Sequence, residues 1–366
     1  MDFTIEKEQL LAALSTLSKI NPSRTTLPIL STVLIKTQDE KVLLLRTTDL
    51  EIEMEIKLQA KILEEGEVCA PIYKMLEITN TVTEKTLSIN VNETQRMRIN
   101  TSTGKYLLMC NKTEEFPEER TVTEEPNIIS TGFLKKTIQN TTYACSKDEL
   151  KPTLSGVFLN ISSTSITAVS TDGHRLVKYI YPEENTKNQT ILVPHKFLNI
   201  LGSGPINTKK ATLKTYKEYA IIETENIKIS TRLISEKFPD YENVIPDTTT
   251  NETTTTTQQL LSAAKKVSLM SNKTTKQIVL NLQTNKITAT TEDHETGGAA
   301  TDEIESTHKG EEIKIGFNSA LLIEILKHQT TDEIKILTTS PLNAAIFKQV
   351  GEEKTETTTL LMPIRI

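Results

Sequence analysis

Ser170-Thr171-Asp172-Gly173-His174-Arg175-Leu176 follows one apolar run, Ser165 to Val169, opens another, and sets an acid, a histidine and an arginine within four positions. An Asp-Gly pair between two alternating runs predicts a tight hairpin, because glycine accepts the positive φ that such turns require. Taken alone, the stretch allows two readings. Asp172 and Gly173 can be turn residues followed by surface side chains. Alternatively Ser170, Asp172 and His174, placed on one face by strand alternation, can be a nucleophile with an acid–base pair. A hydrolase of that kind lacks support elsewhere, since the chain carries no GxSxG elbow, HExxH pair or glycine-rich phosphate loop.

Asp172 has counterparts on either side. Asp49 in RTTDL stands 123 residues before it and Asp293 stands 121 after it; Pro194 follows Pro71 by 123 and Phe238 follows Phe116 by 122. Short periods of about 20 to 50 residues mark solenoids, so a period this long marks whole domains repeated. The expected domains are 1–123, 124–246 and 247–366. Each reads as strand–helix, a strand pair, strand–helix, then about three closing strands, and at this size each can bury somewhat over 60% of its unfolded surface.

In the first repeat, Leu10, Leu11, Leu14 and Leu17 recur at helical spacing and predict a helix from about Glu6 to Ile20. ILSTVLIK and KVLLLRTTDLEIEMEI read as meander strands, and Pro71 opens a second helix, PIYKMLEIT. TLSINV, RMRINT and KYLLMC close the repeat. The second repeat predicts a helix in TGFLKKTIQNTTYA and another in HKFLNIL. The third begins in the threonine run Thr253–Thr257, continues with helix QQLLSAAKKVSLMS and strands QIVLNL and KITATTEDHE, then sets EIKIGF before helix NSALLIEILKH. Threonine suits half-buried strands, so the run is read as compositional bias.

The 366 residues are 36% hydrophobic and 25% charged, with a net charge of -6. That balance excludes a simple basic nucleic-acid binder, and 4% aromatic content with no Trp argues against base stacking on single strands. Cys69, Cys110 and Cys145 are too few and too scattered for a disulfide framework or a zinc site, which predicts a reducing, cytoplasmic setting. No leader-like segment and no apolar run of about 18 residues appears.

With the repeats in place, several segments resemble one family. STDGHRL in the second repeat, EKFPDYENVIP closing it, RTTLPILSTVLI from Arg24 to Ile35, and the last residues LMPIRI are similar to bacterial sliding clamps, the β subunit of the replicative DNA polymerase. The resemblance covers the chain in order. It implies an α+β fold of three tandem clamp domains, each with two helices against antiparallel sheet, closing as a head-to-tail homodimer into a six-domain ring. It implies no enzyme activity and no cofactor. The implied partners are duplex DNA, the replicative polymerase, the clamp loader, repair polymerases and mismatch-repair proteins, the proteins docking through short linear motifs. A clamp-like paralogue without the replicative role is the alternative.

Carried onto this chain, the resemblance implies a peptide pocket walled by Leu154, Thr171, Gly173, His174, Arg175 and Leu176. Pro239 and Val244 join from the FPDYENV segment, and Leu360, Met362, Pro363, Ile364, Arg365 and Ile366 from the last residues. Asn318 is a further candidate that could equally cap its helix. His174 and Arg175 are expected as polar rim and Leu176 as apolar floor. For the subunit joint, Tyr106 and Leu108 face Leu269 and Met270, with Lys74, Arg96 and Lys105 available for charge pairs. Where the family shows an acidic run, this chain reads EDHETGGAATDEIE, its carboxylates split by Gly297, Gly298, Ala299 and Ala300. A sliding ring needs cations for phosphates without base readers; Arg24, Lys135, Lys136, Lys196, Lys265 and Lys266 are the candidates.

Overall fold

A computed structural model of the chain describes residues 1–22, 25–102, 104–119, 127–129, 131–148, 150–184, 188–204, 211–246, 248–351 and 355–366. The first repeat runs β1 (Asp2–Glu6), α1 (Lys7–Leu17), β2 (Thr32–Thr37), β3 (Val42–Thr48), β4 (Ile52–Gln59), β5 (Lys61–Glu64), β6 (Glu67–Pro71), α2 (Ile72–Thr81), β7 (Thr86–Val91), β8 (Arg96–Asn100) and β9 (Lys105–Met109). The second runs β10 (Asn127–Ile129), α3 (Leu134–Thr141), β11 (Gly156–Ile161), β12 (Ser165–Thr171), β13 (Arg175–Pro182), β14 (Gln189–Pro194), α4 (His195–Ser203), β15 (Thr212–Thr215), β16 (Tyr219–Glu223) and β17 (Ile227–Arg232). The third runs β18 (Asn251–Thr256), α5 (Thr257–Ser268), β19 (Gln277–Gln283), β20 (Lys286–Asp293), β21 (Gly298–Glu305), β22 (Thr307–Lys309), β23 (Ile313–Asn318), α6 (Ser319–Lys327), β24 (Glu333–Thr338), β25 (Ala345–Gln349) and β26 (Glu356–Leu361).

The helices arise from their apolar spacing. In α5, Leu260, Leu261, Ala263, Ala264 and Val267 are buried while Lys265 and Lys266 face out, which is one apolar stripe on a period of 3.6. Those side chains share a core with Leu322, Ile325 and Leu326 of α6 and with Ile278, Leu280, Ile315 and Phe317 beneath them. Each buried Leu, Ile, Val or Phe among them stabilises the fold by about 1.5–3 kcal/mol.

Three local expectations shift. Pro28 fixes φ and offers no N–H, so Pro28–Ser31 is a 3-10 turn and β2 starts only at Thr32. The threonine run is itself a strand: in β18, Asn251, Thr253 and Thr255 are buried in alternation. The small-residue insert of the third repeat is the turn and return strand of a hairpin, with Gly297 at φ +68 and Gly298 opposite Asp293. Ala and Thr carry too little apolar alternation for β21 to be legible, and pairing with β20 supplies what pattern does not.

The chain forms two compact units, one of 1–132 with 196–233 and one of 133–195 with 234–366. The first holds a five-stranded sheet, β5-β1-β7-β8-β9, and an eight-stranded one, β10-β15-β16-β17-β4-β3-β2-β6. The second holds a nine-stranded sheet, β14-β11-β12-β13-β26-β25-β24-β18-β22, and a four-stranded one, β21-β20-β19-β23. The two larger sheets run across repeat boundaries: Ile229 of β17 pairs with Met54 of β4, and Leu360 of β26 with Leu176 of β13. Among the described residues no helix is long and apolar enough to cross a membrane.

Candidate functional site

Asp172 builds the turn between β12 and β13. Its Oδ1 accepts the main-chain N–H groups of His174 (2.9 Å) and Arg175 (3.0 Å), and Gly173 sits at φ +89. The carboxylate thereby imitates a backbone turn, the usual use of an Asx side chain. Ser170 is fully buried and its hydroxyl donates to the Thr141 carbonyl at 2.7 Å. The expectation that Ser170, Asp172 and His174 share a strand face is therefore corrected: β12 ends at Thr171, and the acid and the histidine belong to the turn.

Arg175 is also corrected, from rim to buried hub. It is 5% exposed. Its Nε donates to Asp172 Oδ2 (3.0 Å), its Nη1 to Glu324 Oε2 of α6 (2.9 Å) and its Nη2 to the Tyr143 carbonyl (2.6 Å). The guanidinium also lies 5.2 Å from the centre of the Tyr143 ring, which stacks on His328 at 3.9 Å. Burial pushes the Tyr143 phenol up, opposed by a hydrogen bond with Thr359. Glu324, Tyr143 and His328 carry no sequence signal for this role.

Beside the turn lies an apolar floor. Leu176, Val169, Leu192, Phe238, Ile346 and Leu360 pack as one cluster. Phe158 stacks on Phe238 at 5.2 Å with 10° between the rings, and Tyr241 meets both at 6.2 and 6.3 Å. Thr171 pairs with Leu176 and Leu176 with Leu360, while the Met362 N–H donates to the His174 carbonyl at 2.8 Å. Strand pairing thus brings Thr171, Gly173, His174, Leu176, Leu360 and Met362 to one place. Met362 stays 46% exposed and Val244 52%. Pro239 and Val244 bracket Tyr241, which packs against the cluster. Leu154 ends a 3-10 turn and its carbonyl accepts the Ser146 N–H, outside the cluster. Asn318 is the N-cap of α6, its Oδ1 accepting from Ala320 (3.0 Å) and Leu321 (3.4 Å). The last residues leave β26 and bridge to β23, Ile364 opposite Gly316.

The arrangement offers hydrophobic anchorage beside main-chain groups. Among the described residues no group of three or more His, Cys, Asp or Glu could hold a metal ion. Burial pushes the thiols of Cys69 and Cys145 up to about 12 and that of Cys110 up to about 11, so none is a poised nucleophile.

Residues 1–120 match the family model of the DNA polymerase III beta subunit, N-terminal domain; residues 128–240 match its central domain and 242–365 its C-terminal domain. The chain belongs to the DNA polymerase III beta subunit family. Its relatives within that family include the beta sliding clamps of Pseudomonas putida, 28% identical over 379 residues, and Haemophilus influenzae, 25% identical over 372, each match covering 100% of both chains. The Pseudomonas aeruginosa sliding clamp bound to griselimycin is 25% identical with a TM-score of 0.91, covering 100% of both chains. The beta chain of DNA polymerase III from Streptococcus pneumoniae shares the fold over 100% of both chains, with a TM-score of 0.93 at 23% identity.

Within this family member, β9 is an edge strand, and Tyr106, Leu107 and Met109 on it are exposed. Leu108 is half-buried, facing the same side as buried Met97, its pairing partner. Leu107 and Met109 were absent from the sequence-based joint. Leu269 is 80% exposed and Met270 also faces out, just past α5. Lys74 pairs with Glu77 at 2.8 Å within α2; Arg96 and Lys105 are exposed. Of the DNA candidates, Lys135, Lys136 and Lys265 face solvent. Lys196 is bound to Asp49, and Lys266 to Asp302 at 2.7 Å. Arg24 lies outside the described residues.

Proposed function

We propose that two copies of this chain close head to tail into a ring that slides on duplex DNA and holds the replicative polymerase through the pocket beside Leu176. The carrying observation is the convergence of the β12–β13 turn, the Phe238–Val244 segment and the last residues on one apolar cluster that leaves Met362 and Val244 exposed. Its chemistry suits a short peptide with Leu and Phe anchors. Each anchor gains about 1.5–3 kcal/mol on burial, and a micromolar complex needs about 8 kcal/mol, so two anchors with a few main-chain hydrogen bonds come close. Met362 is an adaptable wall for varied partners, and Gly173, with no atom near its missing Cβ, lets a peptide backbone approach.

The edge strands support the ring. β9 and β21 each present an unpaired side, which another chain can extend, and Leu269 beside β21 and Tyr106 on β9 supply apolar contacts. The lysines of α3 and α5 supply weak, salt-screened attraction to phosphates. The role is one of tethering without catalysis, since Ser170 and Asp172 are occupied by structural hydrogen bonds. Repair polymerases, mismatch-repair proteins and the clamp loader would share the same pocket. A pull-down with a Gln-Leu-Ser-Leu-Phe peptide, full chain against a chain lacking Met362 to Ile366, tests the reading. Loss of binding on deletion is expected; equal binding by both would remove the pocket assignment.

A further inference from the structure

We infer that Gly316, in β23, is a positioning residue for the pocket: it sets where Met362–Ile366 lies, and so how tightly a linear peptide is held. This rests on the pocket reading above. Gly316 is not demanded by its own backbone, because the glycines at positive φ are Gly173, Gly297, Gly310 and Gly351. The demand comes from across the gap. β23 is the edge of the four-stranded sheet, and the Ile364 N–H donates to the Gly316 carbonyl at 2.9 Å in an isolated antiparallel bridge. A methyl group at position 316 would stand 2.8 Å from the Ile364 carbonyl oxygen and 3.0 Å from Ile366 Cγ1. The nearer atom is backbone and cannot rotate aside, so the last segment would have to move.

That segment has few other holds. Its first main-chain anchor is the Met362 N–H on the His174 carbonyl, and the Gln277 side-chain amide donates to the Arg365 carbonyl at 3.3 Å. Pro363 between the anchors has no N–H to give. Met362 and Pro363 therefore hang between the pocket turn at one end and Gly316 at the other. Releasing the Gly316 end lets the Met362 wall drift from Leu176 and Leu360.

The experiment compares the full-length chain with Gly316→Ala and Ile364→Pro, the second removing the bridging N–H from the tail side without adding bulk to the sheet. A fluorescein-labelled Gln-Leu-Ser-Leu-Phe peptide reports affinity by anisotropy, and amide hydrogen exchange of the last five residues reports their release. Expected are faster exchange in Gly316→Ala and affinity weaker by about tenfold or more in both variants, with the thermal midpoint unmoved. Faster exchange with unchanged affinity, or unchanged exchange in Gly316→Ala, overturns the inference. Should Gly316→Ala fold poorly, unaltered affinity in Ile364→Pro overturns it alone. If the wild-type chain does not bind the peptide, the pocket reading falls and this role with it, which is a different result from a binding-competent wild type indifferent to Gly316.

Discussion

Asp49, Asp172 and Asp293 each accept the main-chain N–H two residues on, at 3.0, 2.9 and 3.2 Å. The repeated acid is thus a turn-maker, and its C-terminal neighbour differs between repeats: Leu50 takes φ +76 where the second repeat has Gly173 at φ +89. A β-branched side chain at such a φ costs about 1–2 kcal/mol, so Gly173→Val should lower unfolding free energy by that much in urea titration. Arg175 carries more. Its removal leaves Asp172 and Glu324 facing each other over a space the guanidinium filled. Breaking a buried pair costs about 3–5 kcal/mol, and the partial exposure of Glu324 puts Arg175→Ala near the lower end. Arg175→Lys should restore little, because an ammonium cannot reproduce three donors in a planar fork; a urea midpoint close to wild type would contradict that.

The β3–β4 turn with its following linker stands where β12–β13 stands one repeat later, and the two surfaces have opposite chemistry. At the first, Arg46, 7% exposed, donates to the Pro117 carbonyl at 2.7 Å with its guanidinium 5.2 Å from the centre of the Phe116 ring. It lines a cleft of about 570 Å³ with Lys36, Glu55, Lys57, Glu119 and Lys228. One period on, Val169, Leu176 and Lys178 replace Arg46, Glu53 and Glu55. Charge closes the first element pair over its linker; at the second, Val169 and Leu176 belong to an apolar cluster, while Lys178 still pairs with Glu242 of its linker at 3.6 Å. Glu119 shows the electrostatics: its hydrogen bond with Lys228, 2.6 Å, holds the carboxyl below the usual range, while burial and Glu119 itself raise Glu55. A depressed carboxyl stabilises the folded chain above its unfolded pKa, about 4.3, and that contribution is lost as pH falls through the lower folded value. The pair is 27% and 47% exposed, so screening keeps it under about 1 kcal/mol. Urea midpoints of wild type and Glu119→Gln should differ at neutral pH and converge as pH falls through the depressed folded value; a gap that persists in acid would assign the difference to packing.

For the whole molecule, the testable claim is assembly. β9 and β21 are edge strands of five and eight residues, the kind of exposed edge that soluble proteins ordinarily protect, and pairing them between copies would cover both. Leu269→Lys changes a side chain that is 80% exposed, so the isolated chain should fold unchanged. In a ring it would place an ammonium in each joint and raise the dimer dissociation constant by about tenfold or more, roughly 1.4 kcal/mol. Sedimentation velocity at micromolar concentration decides this. A wild-type chain that runs as a monomer would count against the ring, and a Leu269→Lys chain that stays dimeric would move the joint elsewhere.

The sequence alone carried the plan: a period near 122 residues, helices wherever leucines recur at helical spacing, most strands, and the four segments that resemble the family. The helix, strand and turn signals are local, since turn chemistry and apolar period are written within a dozen residues, and the long period emerges from comparing such segments along the chain. What tertiary structure decided is who meets whom. Arg175 looked like rim because its hub partner Glu324 lies 149 positions away, and Lys196 looked free because Asp49 lies 147 away. β21 depends on its neighbour strand, having little pattern of its own. No sequence expectation attached to Gly316; only the folded chain shows its backbone approached by the chain's own last segment. Burial and partnership are properties of contacts between distant segments, and no local pattern encodes them.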